Sequence, residues 1–591
     1  MTAGSEMERA LPVEANFLED WPQRPWVLAG LGLLAGLAVN LILEADGESA
    51  LGAAAAAFCF FAFIAATFVL RPSRLAESAV FAIGLGLVMG GIAYFAADWS
   101  DTRAGTEFAF AAGVFFSLLA IPLFQANFHR KRWQTNYAET HFHVWTDAVS
   151  AGGAFAFVLL SWLVLWLLQA LFSIVGIEFI EALIDTEGFP GAFMGAAFGG
   201  AMGVLRNQLG VLGTLQRVVM LVFALLAVPF AFALAIFLFI LLTSGGGALW
   251  EATDSATPVL LTCAVAAFIL TNAIIRDDDE ARSSSKVMQT AALVLAACIF
   301  PLTVFAAISM GIRIDQHGLS PERIWALVAI VIATAYGLAY WVGLARGRMA
   351  GWSAHLRTAN MRLAVASCAV AFVLAFPLFD FGAISTRDQI ARLESGEVSV
   401  EEFDYSALRW DFGDAGRDAL AVLAEGESEL ARLAQAAREQ QSRPYDWLDE
   451  PPDRGVGTFV VYPSGSDLPP GLADTIRSDG VCRDSAACRV YLQDDGASAV
   501  ALGDGCADLD EPASPDVQCG IDNEVFLRVD GGWRAAPRSQ PDVSMSTEEE
   551  REALQRERDA IERGDVRIDR SQRRSIYIGG EEVGPTFEPP S

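Results

Sequence analysis

The feature that most constrains this chain is a series of long apolar runs almost free of charge. A helix needs about 20 apolar residues to cross the hydrocarbon core of a bilayer. Eleven segments meet or approach that length: 26–43, 51–70, 78–97, 107–126, 151–176, 189–205, 218–242, 257–275, 287–310, 323–345 and 361–379. Away from water a backbone satisfies its own polar groups only in helices or closed barrels. The runs therefore predict an all-α polytopic bundle of about eleven transmembrane helices, with the lipid bilayer as its surroundings. Composition agrees, since only 19% of residues are charged against about 25% in soluble domains. The weakest segment is 189–205, which is short and rich in glycine. Acidic residues Glu6, Glu8, Glu14, Glu19 and Asp20 precede the first run. A secretory signal starts with basic residues and ends at a cleavage site, so a retained helix is expected.

Charge divides the chain near Asp380. Residues 381–591 hold 44 of the 71 acidic residues, so most of the net charge of −30 belongs to the last third. That balance excludes a nucleic-acid binder. Basic residues fix the expected orientation. One set of alternate loops carries Arg71, Arg74, Arg130, Lys131, Arg132, Arg206, Arg217, Arg276, Arg282, Lys286, Arg346, Arg348, Arg357 and Arg362. The other set carries only Arg103, Arg313 and Arg323. The positive-inside rule then places the N-terminus in the cytoplasm of a bacterial inner membrane. Eleven crossings place the last third in the periplasm.

Cysteine usage points the same way. Cys59, Cys263, Cys298 and Cys368 lie in apolar runs, whereas Cys482, Cys488, Cys506 and Cys519 lie in the polar last third. Four cysteines in a small loop-rich domain predict disulfides and an oxidising compartment. The sequential pairs Cys482–Cys488 and Cys506–Cys519 are the preferred choice among three connectivities. A four-cysteine zinc site is the rival, but its ligands usually come in tight CxxC pairs that are missing here.

These patterns divide the chain into a cytoplasmic tail (1–25), the bundle (26–380), an extracytoplasmic helical segment (381–445), a cysteine-containing β-rich domain (446–540), and a charged helix with a flexible tail (541–591). The last third is thus a small α+β part. GTFVVYP, CRVYLQ, SAVALG and EVFLRV read as strands, and DGGW as a tight turn. Residues 546–563 read as a solvated helix and the final residues as frayed.

Within the bundle, Gly191, Gly195, Gly199 and Gly203 recur every fourth residue. Such a stripe lets two backbones approach closely, so it is expected to pack centrally or to act as a hinge. Ionisable residues are nearly missing from the centres of the runs, and Asn40, Gln125, Gln169 and Asn272 read as isolated polar positions. Glu178, Glu181 and Asp185 fall on one face of a short amphipathic helix. His129, His141 and His143 share one basic loop whose aromatic neighbours suggest an interfacial anchor. Their spacing does not suit a helical metal pair.

No nucleophile elbow, Walker loop or kinase set is present. The last third contains no histidine, which removes a Ser-His-Asp triad from it. Asp504, Asp508 and Asp510 are in the wrong order for a calcium loop. No catalytic, cofactor or metal residue is therefore assigned, and a non-enzymatic role is favoured. A weak membrane-enzyme reading rests on Arg313, Asp315 and His317 in the outer loop GIRIDQHG.

Two stretches carry a family resemblance: GIRIDQHGLSPERIWALVAIVIATAYGLAYW at 311–341, and FPLFDFGAISTRDQIARLESG followed by FDYSALRWDFGDAGRDALAVLAE within 376–425. With their S-x-R-x-Q-x-x-R-L helix they resemble the bacterial multi-pass membrane family called domain of unknown function 4153. The resemblance spans about residues 26–425 and implies topology, but no catalytic or binding residue. The leading expectation is an envelope protein whose periplasmic domain binds a partner or ligand. The alternative is a permease for a small or lipidic solute, with the glycine-striped helix at its moving interface.

Overall fold

The computed structural model describes residues 21–47, 49–243, 256–440, 443, 458–463, 466–482, 487–492, 498–504, 521–529, 532–535, 574–578 and 581–587. The chain forms two compact units, Met1–Arg443 and Pro444–Ser591.

The first unit is helical. Its elements are α1 (Arg24–Asp46), α2 (Ala50–Val69), α3 (Leu75–Asp98), α4 (Thr106–Gln125), the short α5 (Phe128–Lys131), α6 (Tyr137–Ile174), α7 (Phe179–Ile184), α8 (Phe189–Asn207), α9 (Leu209–Thr243), α10 (Thr257–Ile275), α11 (Lys286–His317) and α12 (Pro321–Ala375). Among the described residues, ten helical stretches are long and apolar enough to cross a membrane. Segment 189–205 is a helix, α8, but it is not one of the ten.

This helix packs against one of the ten, α1. α8 runs antiparallel along α1. At one end Arg24 NH1 donates to the Arg206 carbonyl (3.0 Å) and to Asn207 Oδ1 (2.7 Å). At the other end the Gly191 amide donates to Asn40 Oδ1 (3.2 Å). Between them, a Cβ on Gly195 would overlap the Gly32 carbonyl, and one on Gly199 the Leu28 carbonyl. With 19 residues, α8 is about 28 Å long at 1.5 Å per residue, and it packs along most of the 23-residue α1.

Pro321–Ala375 is helical throughout but bends back on itself. The Tyr340 hydroxyl donates to Asn360 Oδ1 at 2.9 Å, whereas twenty residues of straight helix would hold them about 30 Å apart. Gly347 lies against the Trp352 backbone at the fold, where a side chain would clash. The arms Pro321–Gly347 and Gly351–Ala375 are separate spans.

The spans alternate, so the bundle has two ends. At the arginine-rich end, Arg206 donates to the Thr67 carbonyl, Gln125 to that of Phe68 and Arg357 to that of Arg276. At the opposite end sits a helical cap, α13 (Phe381–Ser395), α14 (Tyr405–Trp410), α15 (Gly413–Leu423) and α16 (Glu429–Glu439). Asp380, Asp404 and Ser428 cap the first turns of α13, α14 and α16 through side-chain oxygens. Phe403, Leu408, Phe412, Leu420 and Ala434 form the cap's own apolar core. Asp388 accepts from the Leu319 amide (2.7 Å), Gln389 donates to the His317 carbonyl (2.8 Å), and Arg103 donates to the Pro377 carbonyl (2.9 Å). The cap is thereby fixed to the loops between spans.

The second unit holds a five-stranded sheet in the order β1 (Thr458–Tyr462), β2 (Ala487–Leu492), β3 (Ser498–Asp504), β4 (Ile521–Val529), β5 (Gly532–Ala535). The first pair is parallel and the rest are antiparallel. The helix α17 (Leu472–Asp479) lies in the β1–β2 connection, since a parallel pair needs a long crossover. Leu472, Ile476, Val490, Ala501 and Phe526 pack with the Cys482–Cys488 disulfide in its core. All four strand runs read from the sequence are strands. β6 (Arg574–Ile578) and β7 (Glu581–Phe587) form an antiparallel hairpin among the final residues, which read as frayed from the sequence. Main-chain pairing organises this stretch despite its weak apolar pattern. Cys506, Cys519 and the charged segment 546–563 lie outside the described residues.

Candidate functional site

The candidate site is a buried polar layer at the arginine-rich end. It exists because α6 is much longer than a bilayer requires. Its 38 residues reach about 57 Å. Its second half is apolar and turned outward, with Leu160, Leu163, Trp166 and Leu167 exposed. Its first half is enclosed by neighbouring helices. Thr140, His141, His143, Thr146 and Ser150 are all buried there. The stretch expected to be a loop with an interfacial anchor is thus helix, and both histidines point inward. His129 and Arg130 pair with Glu77, and Lys131 with Glu139.

The layer has three parts. The first is a closed hydrogen-bond cycle. Asn272 Nδ2 donates to the Tyr340 hydroxyl (2.9 Å), Tyr340 to Asn360 Oδ1 (2.9 Å), and Asn360 Nδ2 to Asn272 Oδ1 (2.7 Å). The Tyr137 hydroxyl joins it at Asn272 Oδ1 (3.3 Å) and also meets His141 Nδ1 (3.1 Å). The cycle ties α6, α10 and both arms of α12 together. Tyr340 is fully enclosed, so each of these bonds replaces one that water would make, and the network is costly to leave incomplete. Asn272 is therefore not the isolated polar residue that its sequence position suggests.

The second part surrounds Asp147, one turn after His143 on α6. Gln125 Nε2 on α4 donates both to Asp147 Oδ1 (3.2 Å) and to the Phe68 carbonyl on α2 (3.0 Å). Asp147 Oδ2 and Gln125 Oε1 are buried with no hydrogen-bond partner among the described residues. Arg206 and Arg71 act on the carboxylate through space. Asp147 lies outside the apolar runs, four residues before 151–176 on the same helix, so the centres of the runs remain almost free of ionisable groups. A carboxylate oxygen enclosed without a partner is costly to keep charged.

The third part is a staple. Arg357, 8% exposed, sends its guanidinium to the end of α10. It donates to the carbonyls of Ile275 (2.7 Å), Arg276 (3.1 Å) and Asp278 (2.7 Å), and to Asp279 Oδ1 (3.0 Å). These carbonyls include orphans of a helix C-terminus. Ser353 also donates to Asp279 (2.8 Å). That hydroxyl, together with Arg357, holds the Asp279 carboxyl below the ordinary carboxylate range.

An apolar groove of about 450 Å³ lies beside this end, between α1, α6 and α8, lined by Trp26, Ala29, Phe157, Ala197, Gly200 and Val204 among others. Among the described residues no group of three His, Cys, Asp or Glu is placed to hold a metal ion.

The family model for the domain of unknown function DUF4153 matches residues 58–425. The chain belongs to the DUF4153 family. The match runs from within α2 to just past α15 of the cap, leaving α1 and α16 outside it, and takes in the whole polar layer. The sheet unit lies outside it. No curated protein and no solved structure matches the chain.

The residues singled out by sequence fare differently. Gly191, Gly195, Gly199 and Gly203 all face α1, where Gly32 and Gly36 provide the matching gap. Arg313, Asp315 and His317 are not in a loop. They occupy the last turns of α11, where Arg313 and His317, four residues apart, share a face and Asp315, two residues from each, points to the opposite side. Cys482 and Cys488 are bonded. What the sequence reading missed is the layer itself. Its available signal was four-residue spacing of polar residues, as in Tyr137–His141, His143–Asp147 and Thr146–Ser150.

Proposed function

We propose that this multi-pass membrane protein sits in the bacterial inner membrane with its arginine-rich end in the cytoplasm. Its helical cap and disulfide-bearing sheet unit then stand in the periplasm, where the acidic last third binds an envelope partner. The observation that carries this reading is the agreement of two independent asymmetries. Basic loop residues gather at one end of the bundle, as the positive-inside rule requires of a cytoplasmic face. A disulfide occurs in the part of the chain that follows the last span, which leads to the other end.

Labelling intact cells with a membrane-impermeant thiol reagent tests the orientation. Cys482 and Cys488 should react only after reduction, with no need to open the cells. Reaction without reductant, and only in opened cells, would reverse the topology. Crosslinking in intact cells should then copurify an envelope protein, and a chain lacking residues 444–591 should not.

A second reading is a permease for a small or lipidic solute. Asp147 favours it, because its Oδ2 is enclosed at the end of the bundle without a partner among the described residues, and carboxylates enclosed in helical bundles line solute and proton paths in many transporters. A deletion strain should show an altered solute profile that wild-type protein restores and Asp147→Ala does not. An unchanged profile sets this reading aside.

A further inference from the structure

Asp147 and Gln125 present a specific imbalance of donors and acceptors. The Gln125 amide spends both of its N–H groups, one on Phe68 and one on Asp147 Oδ1. Its orientation is fixed, because turning it over would set its oxygen against two acceptors. Gln125 Oε1 and Asp147 Oδ2 are then left as acceptors, both buried and both without a donor among the described residues. Gln125 is 6% exposed. A buried acceptor with no donor is costly, and more so if charged.

We propose that Asp147 and Gln125 form a proton-binding site, in which one proton on Asp147 Oδ2 is donated to Gln125 Oε1. That single proton supplies both missing partners at once. It closes an acid–amide pair of two parallel hydrogen bonds, neutral overall, joining α6 to α4 and through Phe68 to α2. The charged groups around it are Arg206 on α8 and Arg71 between α2 and α3, with His143 one turn back on α6 and Arg24 of α1 acting on Arg206. None makes an ion pair with Asp147. On α9, the neutral Gln216 is bonded to Thr146 (3.4 Å). Release breaks the Oδ2–H bond, leaves its electron pair on oxygen and passes the proton to water at the arginine-rich end. The carboxylate then faces Gln125 Oε1, acceptor against acceptor, and of the pair only the Gln125 Nε2–Asp147 Oδ1 bond still joins α4 to α6. The site stands on the bundle's geometry and requires neither reading of function.

Infrared spectroscopy of the full chain at neutral pH tests this. The wild type should show a carboxylic-acid C=O band that is absent in Asp147→Asn. In Gln125→Leu, which lacks the acceptor, the band should move to higher frequency. Asp147→Asn should also stay close to the wild-type melting temperature, since its carboxamide still offers an N–H to Gln125 Oε1 and an oxygen to Gln125 Nε2. Asp147→Leu, of similar size with neither, should melt lower. Lack of an acid band dependent on Asp147 overturns the proposal, and so does Asp147→Asn melting as low as Asp147→Leu. If Gln125→Leu fails to fold, the Asp147 pair of variants still decides.

Discussion

Replacing Gly195 by leucine is expected to break the bundle at the α1–α8 contact. A Cβ there overlaps the Gly32 carbonyl, and the reciprocal Cβ on Gly32 overlaps the Gly195 carbonyl. Backbone has no rotamer by which to move aside, so the two helices must separate along their length. Overpacking a flexible core costs about 1–3 kcal/mol, and a backbone clash belongs at or above the top of that range. Lost separation would also pull apart Arg24 from Arg206 and Asn207. Gly200→Leu is the control. It lies on the same helix, but its Cβ would meet the Ala29 Cβ at 3.6 Å, an ordinary contact. Melting of both variants in detergent checks this. Equal melting temperatures would remove the glycine stripe from the packing argument.

Arg357→Ala should be the most damaging single change at the polar layer. It strands the carbonyls of Ile275, Arg276 and Asp278 and unpairs Asp279. Each buried carbonyl left without a donor costs about 1–3 kcal/mol, whereas Asp279, its side chain 55% exposed, is reached by water. Arg357→Lys should recover only part of this, because an ammonium lacks the planar fork that reaches several acceptors. Denaturation in mixed micelles gives the comparison. Acid should weaken the wild type at the same place. Asp279 is held below its ordinary value, so its contribution is present above the unfolded value of about 3.9. It is lost as pH falls through the folded value. Arg357→Ala should lack this acid-dependent portion. A variant as stable as wild type at neutral pH would show that water replaces the guanidinium.

How far the sequence reaches is seen best on α6. Hydropathy found its lipid-facing half, 151–176, because outward residues must be apolar whatever packs elsewhere. It missed 137–150, since a buried polar face reads as a loop until its neighbours are known. Segment 189–205 shows the reverse case. Glycine lowers hydropathy, yet the four-residue spacing that lowers it is what seats α8 against Gly32 and Gly36. The strands of the sheet unit were legible from their β-prone runs between turn residues. The β6–β7 hairpin was not, because main-chain pairing leaves no apolar periodicity to read.

The sequence by itself determined that the chain crosses a membrane many times, which end of the bundle is basic, and where the polar last third begins. Those properties are sums over local residue types, and solvent transfer acts on each segment almost independently of the others. Only the tertiary structure decided which polar residues meet. Asn272, Tyr340 and Asn360 span almost ninety positions, and Gln125 finds Asp147 across a helix boundary that hydropathy drew in the wrong place. A hydrogen bond depends on distances of a few tenths of an ångström between atoms far apart in sequence, and no local pattern carries that information.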